Sequence, residues 1–179
     1  MTAELRELRP EDADALRGFF TDVPSDDRTF FKEDISDAAR AAERWLAERS
    51  SVRRLAFDGD GAVVAFATLS PGVERMSHVA DLRLVVARQA RGRGLGRALA
   101  RGMLLEAVRH GFKKVTVDIA SENEGAIRMF RELGFQPEAL LRDQLCDPNG
   151  RLHDIVVLAH AVNEHWSGMV TGGIDGALS

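Results

Sequence analysis

The chain has 179 residues, of which 45% are hydrophobic and 29% are charged, and its formal net charge is −4. This length and composition are typical of one folded domain with its own core, which argues against a disordered chain and against two independent domains. The acidic balance gives no general attraction to nucleic acid, the apolar runs are far shorter than the ~20 residues that span a membrane, and one cysteine excludes an internal disulfide.

The start of the chain mixes charges of both signs and lacks the apolar core of a signal peptide, so we expect a cytoplasmic protein. We expect a single domain over residues 1–166 and a flexible tail over residues 167–179, which has little apolar periodicity. The cysteine, Cys146, is expected to be a small apolar filler. The oligomeric state is left open, with a homodimer as one alternative.

The first half of the chain predicts two helices and four strands. Pro10 and the acids after it open the first helix, and Asp58-Gly59-Asp60-Gly61 is a strong hairpin signal. Residues 23–36 are irregular, with Phe30 and Phe31 expected to be buried. In chain order, the predicted elements are a strand at 3–8, a helix from 10, a helix at 38–49, and strands at 53–57, 63–69 and 79–87.

The second half continues with two helices and three strands. A second hairpin turn is predicted at Asp147-Pro148-Asn149-Gly150. The predicted elements are a helix at 95–109, a strand at 115–119, a helix at 123–133, and strands at 140–146 and 152–161. Together the two halves predict a mixed α/β domain with about seven strands and four helices.

A glycine-rich turn joins the strand at 79–87 to the helix at 95–109. Three glycines, Gly92, Gly94 and Gly96, alternate within the stretch QARGRGLGR at 89–97. Several bare N–H groups can converge there on an anion at the positive end of the helix, and the interleaved arginines can reach further phosphate oxygens. For such a pattern alone, a tight turn with a solvated arginine face is the alternative. The position between a strand and a helix favours a phosphate site.

Two familiar phosphate-binding patterns do not fit this turn. A dinucleotide fingerprint needs a third glycine at position 97, which is Arg97 here. A P-loop needs Gly-Lys followed by Ser or Thr, and the sequence contains no such triplet.

A second segment, NEGAIRMFRELGF at 123–135, reads as a capped amphipathic helix. Asn123 is a good N-cap, and Gly134 is typical of a helix end. The apolar residues that recur at helical spacing are Ala126, Ile127, Phe130 and Leu133.

The two segments together resemble the cofactor motifs of the GNAT superfamily of acyl-CoA-dependent N-acetyltransferases. The first matches Gln/Arg-x-x-Gly-x-Gly, and the second matches an Asn-x-x-Ala run that ends in Leu-Gly-Phe, in the family's order. The resemblance covers residues 3–162. It implies an α/β fold with a mixed, mostly antiparallel seven-stranded sheet, about four flanking helices, and splayed central strands at 79–87 and 115–119.

The same resemblance implies acetyl-CoA as co-substrate, a primary amine as acceptor, direct attack in a ternary complex, and no metal. The glycine turn is then expected to bind the coenzyme pyrophosphate, and the splayed strands the pantetheine arm, with one strand N–H polarising the thioester carbonyl. The coenzyme-binding residues it implies are Leu84, Val85, Val86, Gln89, Arg91, Gly92, Arg93, Gly94, Leu95, Gly96, Arg97, Asn123, Ala126 and Phe130.

An amine acceptor must lose a proton before it attacks, because a free alkyl-amine has a pKa near ~10.4. Asp118 is our first candidate for the base, since many family members carry a glutamate five residues before the motif asparagine. A solvated strand acid is the alternative interpretation. Asp81 is a second candidate, and His78 and Glu74 are weaker ones.

The sequence departs from the family at Phe130, where many members carry a tyrosine that protonates the leaving thiolate. The chain contains no tyrosine. Because a thiol has a pKa near ~8.5, we expect slower turnover rather than its loss. The alternatives are a catalytically weak acyl-CoA sensor of the same fold and, against the acidic charge, a nucleic-acid-binding domain.

Overall fold

The structure is a computed structural model and describes residues 4–24, 27, 35–48 and 50–162. Within these residues, seven strands form one sheet and four helices pack on its two faces. The strands are β1 Glu4–Glu7, β2 Val52–Phe57, β3 Val63–Pro71, β4 Val79–Val86, β5 Lys114–Ala120, β6 Gln136–Cys146 and β7 Leu152–Ala161. The helices are α1 Ala13–Thr21, α2 Ala38–Ala47, α3 Leu95–Arg109 and α4 Glu124–Glu132.

The predicted order of strands and helices is confirmed; most element ends agree within two residues, and two differ by three or more. Pro10–Asp12 forms a 3-10 turn, and the α-helix begins only after it. β6 begins at Gln136 rather than at residue 140 because its first residues already pair with β7. Residues 136–140 are exposed, so no apolar alternation marks them in the sequence.

Cys146 is exposed, so the prediction that it is a small apolar filler is wrong. It lies at the end of β6, directly before the hairpin turn, where the chain leaves the sheet. The predictions for Phe30 and Phe31 and for the tail at 167–179 lie outside the described residues. No helix in the described part of the chain is long and apolar enough to cross a membrane.

The sheet has the strand order β1-β2-β3-β4-β5-β7-β6. All neighbours are antiparallel except β4 and β5, which run parallel and pair only from Val79–Lys114 to Asp81–Thr116. Beyond that point, residues 82–86 of β4 and 117–120 of β5 diverge. The central strands are therefore splayed, as the family resemblance implies.

The two faces of the sheet carry separate hydrophobic clusters. α3 and α4 pack on one face, where Leu99, Met103 and Phe130 are buried. α1 and α2 cover the other face, where Phe20 of α1 packs against Phe66 of β3. The gap between β4 and β5 thus opens between the two helical layers.

Candidate active site

A large cleft of about 1090 Å³ opens where β4 and β5 diverge. Ligand sites typically measure about 300–1,000 Å³, so this cleft can hold a long ligand together with a second molecule. Its walls come from residues 82–86 of β4, 117–120 of β5, the glycine turn, the start of α4 and one side of α1. Both motifs of the sequence therefore face the same space.

The glycine turn presents its backbone to this cleft. Gly92 and Gly94 have φ values of +74° and +78°. This left-handed conformation is rarely adopted by residues that carry a Cβ atom. The first helical hydrogen bond of α3 runs from the Ala98 N–H to the Gly94 carbonyl at 3.0 Å. The amides of Leu95, Gly96 and Arg97 precede that bond and are the unpaired N–H groups expected at a helix start. This geometry suits an anion.

Two arginines of the turn, Arg91 and Arg97, form ion pairs with acidic side chains. Arg91 pairs with Asp27 at 3.0 Å, and its Nε donates to the Val86 carbonyl at 2.9 Å. Arg97 forms an ion pair with Glu132 at the end of α4. Arg93 is exposed and does not line the cleft, unlike the other residues predicted to bind the coenzyme.

The second motif is built as its sequence predicts. The Asn123 side chain caps α4 by accepting a hydrogen bond from the Ala126 N–H at 3.2 Å. Gly134 has a φ of +91° just after the helix. The Phe130 ring is only 3% exposed and packs edge-on against Phe135 at 5.1 Å between ring centres, while still contributing to the cleft wall.

Asp118 lies in β5 and lines the cleft on the face that carries α1 and α2. Arg83 of β4 lines the same region. Burial lowers the pKa of Arg83, and the charge of Asp118 acts in the opposite direction. Of the predicted bases, Asp118 is therefore the one that lies in the cleft, where β4 and β5 separate.

The other predicted bases lie outside the cleft wall. Asp81 sits where β4 and β5 still pair, and it accepts a hydrogen bond from Arg83 Nε at 3.0 Å. Glu74 and His78 are exposed in and after the short 3-10 turn that precedes β4. Their separation from the cleft favours Asp118 over all three.

A carboxylate–imidazole–carboxylate cluster, which the sequence did not reveal, lies beside the cleft. His153 Nδ1 is 2.9 Å from Glu122, which lines the cleft, and His153 Nε2 is 3.3 Å from Asp147 in the hairpin turn. Hydrogen bonds to the two acids raise the pKa of His153 above its usual value. The cluster ties the β6–β7 hairpin to the turn before α4.

Asp27 is a second residue that the sequence analysis missed. It is 6% exposed and lies against Arg88 and Arg91 in the cleft wall. The partners are 61 and 64 residues apart in the chain, so no local pattern could have signalled the contact.

Among the described residues, no group of three or more His, Cys, Asp or Glu side chains is placed to hold a metal ion.

Known proteins share both the sequence pattern and the fold. The family model of the acetyltransferase (GNAT) family matches residues 17–135. A search of the curated proteins found no match.

Solved structures with similar folds include three acetyltransferases. A phosphinothricin acetyltransferase from Sinorhizobium meliloti in complex with AcCoA has 22% identity over 92% of this chain and 90% of that chain, with a TM-score of 0.78. A ribosomal-protein-alanine N-acetyltransferase from Brucella melitensis has 24% identity, covers 88% of this chain and 99% of its own, and has a TM-score of 0.77. A spermidine N-acetyltransferase from Vibrio cholerae in complex with CoA and spermine has 17% identity, 92% and 98% coverage, and a TM-score of 0.74. At these identities the likeness establishes the fold.

Proposed function

Because the chain belongs to the acetyltransferase (GNAT) family and is an acyltransferase, we propose that it transfers an acetyl group from acetyl-CoA to a primary amine. The observation that carries this proposal is the cleft between β4 and β5, into which the glycine turn, the second motif and Asp118 all open. A transfer reaction needs a space that holds a long cofactor and a nucleophile side by side, and this cleft is large enough for both.

The coenzyme diphosphate would bind the amides that begin α3, and the pantetheine arm would lie along β4. The β4 edge at residues 82–86 is not paired with β5, which leaves room for an extended ligand along this edge up to Val86, whose carbonyl accepts from Arg91 Nε. The cleft residues assigned to this role are Leu84, Val85, Val86, Gln89, Arg91, Gly92, Gly94, Leu95, Gly96, Arg97, Asn123, Ala126 and Phe130.

Asp118 would accept the proton of the acceptor ammonium, directly or through water. The freed nitrogen then attacks the thioester carbonyl carbon, a C–N bond forms, and the C–S bond breaks to release the coenzyme thiolate. A backbone N–H of β4 would stabilise the oxyanion. The nitrogen loses a second proton as it becomes an amide, and because Phe130 offers no proton, this one can reach the thiolate through water.

The acceptor would bind near Asp118, in a wall to which Asp22, Asp118 and Glu122 contribute acids and Arg83 one opposing charge. This wall favours amines that carry positive charge. The structural neighbours suggest a first panel of acceptors: phosphinothricin, a peptide with an N-terminal alanine, and spermidine.

The experiment is acetyl-CoA consumption, followed as free thiol, against this panel. Acceptor-dependent thiol release supports the proposal. Tight binding of acetyl-CoA without release for any amine would instead favour the second candidate, an acyl-CoA sensor, for which the buried Phe130 in place of an acid is the supporting observation. The division into one domain at 1–166 and a tail at 167–179, the cytoplasmic location and the homodimer remain predictions.

A further inference from the structure

Asp27 is a buried carboxylate that holds two guanidinium groups at once. Its oxygens lie 3.2 Å from Arg88 Nη2 and 3.0 Å from Arg91 Nη2. Additional contacts to Arg88 Nε at 3.4 Å and to Arg91 Nη1 at 3.3 Å make both interactions bidentate. This paired geometry restricts an arginine side chain far more than a single contact does.

The carboxylate is ionised at neutral pH. Burial acts to raise the pKa of Asp27, but hydrogen bonds and charge from Arg88 and Arg91 outweigh it and lower the pKa below its usual value. Among the described residues, this cluster holds two guanidinium groups and one carboxylate, so positive charge is in excess there.

Both arginines flank the glycine turn. Arg88 directly follows β4 and the residue Ala87, and Arg91 directly precedes Gly92. Arg91 is also fixed at its other edge by the Val86 carbonyl. Asp27 and both arginines line the cleft beside the amides that begin α3.

We propose that Asp27 is a positioning residue for the coenzyme diphosphate, because it holds Arg88 and Arg91 in place beside the turn before the coenzyme arrives. This inference rests on the proposed coenzyme site. Long arginine side chains lose rotamer freedom when they bind a ligand, and a carboxylate that has already ordered them removes that cost from binding.

Simple charge counting gives the opposite expectation, which makes the proposal testable by the sign of one effect. Replacing Asp27 with asparagine removes a negative charge next to a negatively charged ligand, so charge alone predicts tighter binding. Positioning predicts weaker binding, because the amide cannot hold two guanidinium groups. Two arginines that must be ordered anew correspond to a loss of roughly five- to 100-fold in affinity.

The measurement is the dissociation constant of acetyl-CoA by calorimetry for the wild type, Asp27→Asn and Asp60→Asn. Asp60 lines the same cleft, is exposed, and loses the same charge without contacting the arginines. We expect Asp60→Asn to bind equally well or slightly tighter, and Asp27→Asn to bind at least fivefold more weakly. Affinity for S-acetylpantetheine, which lacks the diphosphate, should be the same in all three proteins.

The inference is overturned if Asp27→Asn binds acetyl-CoA as tightly as the wild type or more tightly. It is also overturned if the loss is equal for S-acetylpantetheine, since the effect would then not act through the diphosphate. If the asparagine variant does not fold, Asp27→Glu replaces it: this variant keeps the charge and displaces the carboxylate, so positioning predicts weaker acetyl-CoA binding, and unchanged binding would overturn the inference. A wild type that binds no acetyl-CoA contradicts the proposed function itself, which separates the two failures.

A second background checks the route of the effect. When Arg88 and Arg91 are both glutamine, no guanidinium groups remain for Asp27 to order. Asp27→Asn should then tighten acetyl-CoA binding instead of weakening it, because only the repulsion between carboxylate and diphosphate is removed. A weakening of the same size in both backgrounds would contradict the proposal.

Discussion

Replacing Gly94 with alanine tests the glycine turn with a single methyl group. Gly94 caps α3 with a φ of +78°, and a Cβ there would meet no atom within 4 Å. The substitution therefore causes no clash, and its whole cost is backbone strain of roughly 1–2 kcal/mol. If the variant keeps the turn, this cost lowers its free energy of unfolding. If the turn relaxes, acetyl-CoA has to restore it, and the affinity falls by roughly five- to 30-fold.

Gly102 provides a matched control in the same helix. It lies in the interior of α3, and a Cβ there also meets nothing within 4 Å. Gly102→Ala should raise the free energy of unfolding by about 0.5–1 kcal/mol, the usual gain of alanine over glycine in a helix, and leave the affinity unchanged. Urea unfolding and calorimetry with acetyl-CoA measure both quantities. A Gly94→Ala protein that is as stable as the wild type and binds equally well would refute the left-handed geometry of the turn.

Three further predictions concern catalysis and pH. Asp118→Asn should lower kcat for an amine by roughly 10²- to 10⁴-fold with the acetyl-CoA affinity unchanged, whereas Asp81→Asn should have little effect; equal losses would reject Asp118 as the base. Phe130→Tyr should raise kcat in the thiol-release assay, by up to about 10²-fold, because it supplies an acid to the leaving thiolate; an unchanged kcat would exclude that role. Burial lowers the pKa of His160, against an opposing effect of the Gly134 backbone, so its contribution to stability is complete above the unfolded pKa near ~6.5 and is lost as the pH falls. Urea unfolding at pH 7 and pH 5 should show a larger loss for the wild type than for His160→Gln, and equal losses would contradict this.

Local features of the site could be predicted because their contacts lie within a few residues. The cap of α4 joins Asn123 to Ala126, three positions away. The positive φ values of Gly92 and Gly94 depend only on the conformation of the turn that contains them. Such interactions leave a pattern that a reader of the sequence can find. The bounds of α3 follow the predicted 95–109 for the same reason.

The remaining features depend on tertiary packing. Asp27 meets Arg91 across 64 residues, and His153 meets Glu122 across 31. β4 and β5 splay because their pairing stops after Asp81–Thr116. The end of pairing leaves no mark in the sequence, so the splay was expected only from the family resemblance. β6 was predicted too short because an exposed edge strand shows no alternation of apolar and polar residues.

The most direct test of the account follows the backbone amides of the turn during titration with coenzyme A. In ¹⁵N-labelled protein, the N–H resonances of Gly92, Gly94, Leu95, Gly96 and Arg97 should shift strongly and saturate together, and adenosine 3′,5′-bisphosphate, which lacks the bridging diphosphate, should move them much less. If coenzyme A shifts resonances elsewhere in the protein while those of the turn stay unchanged, the assignment of the turn to the diphosphate is contradicted.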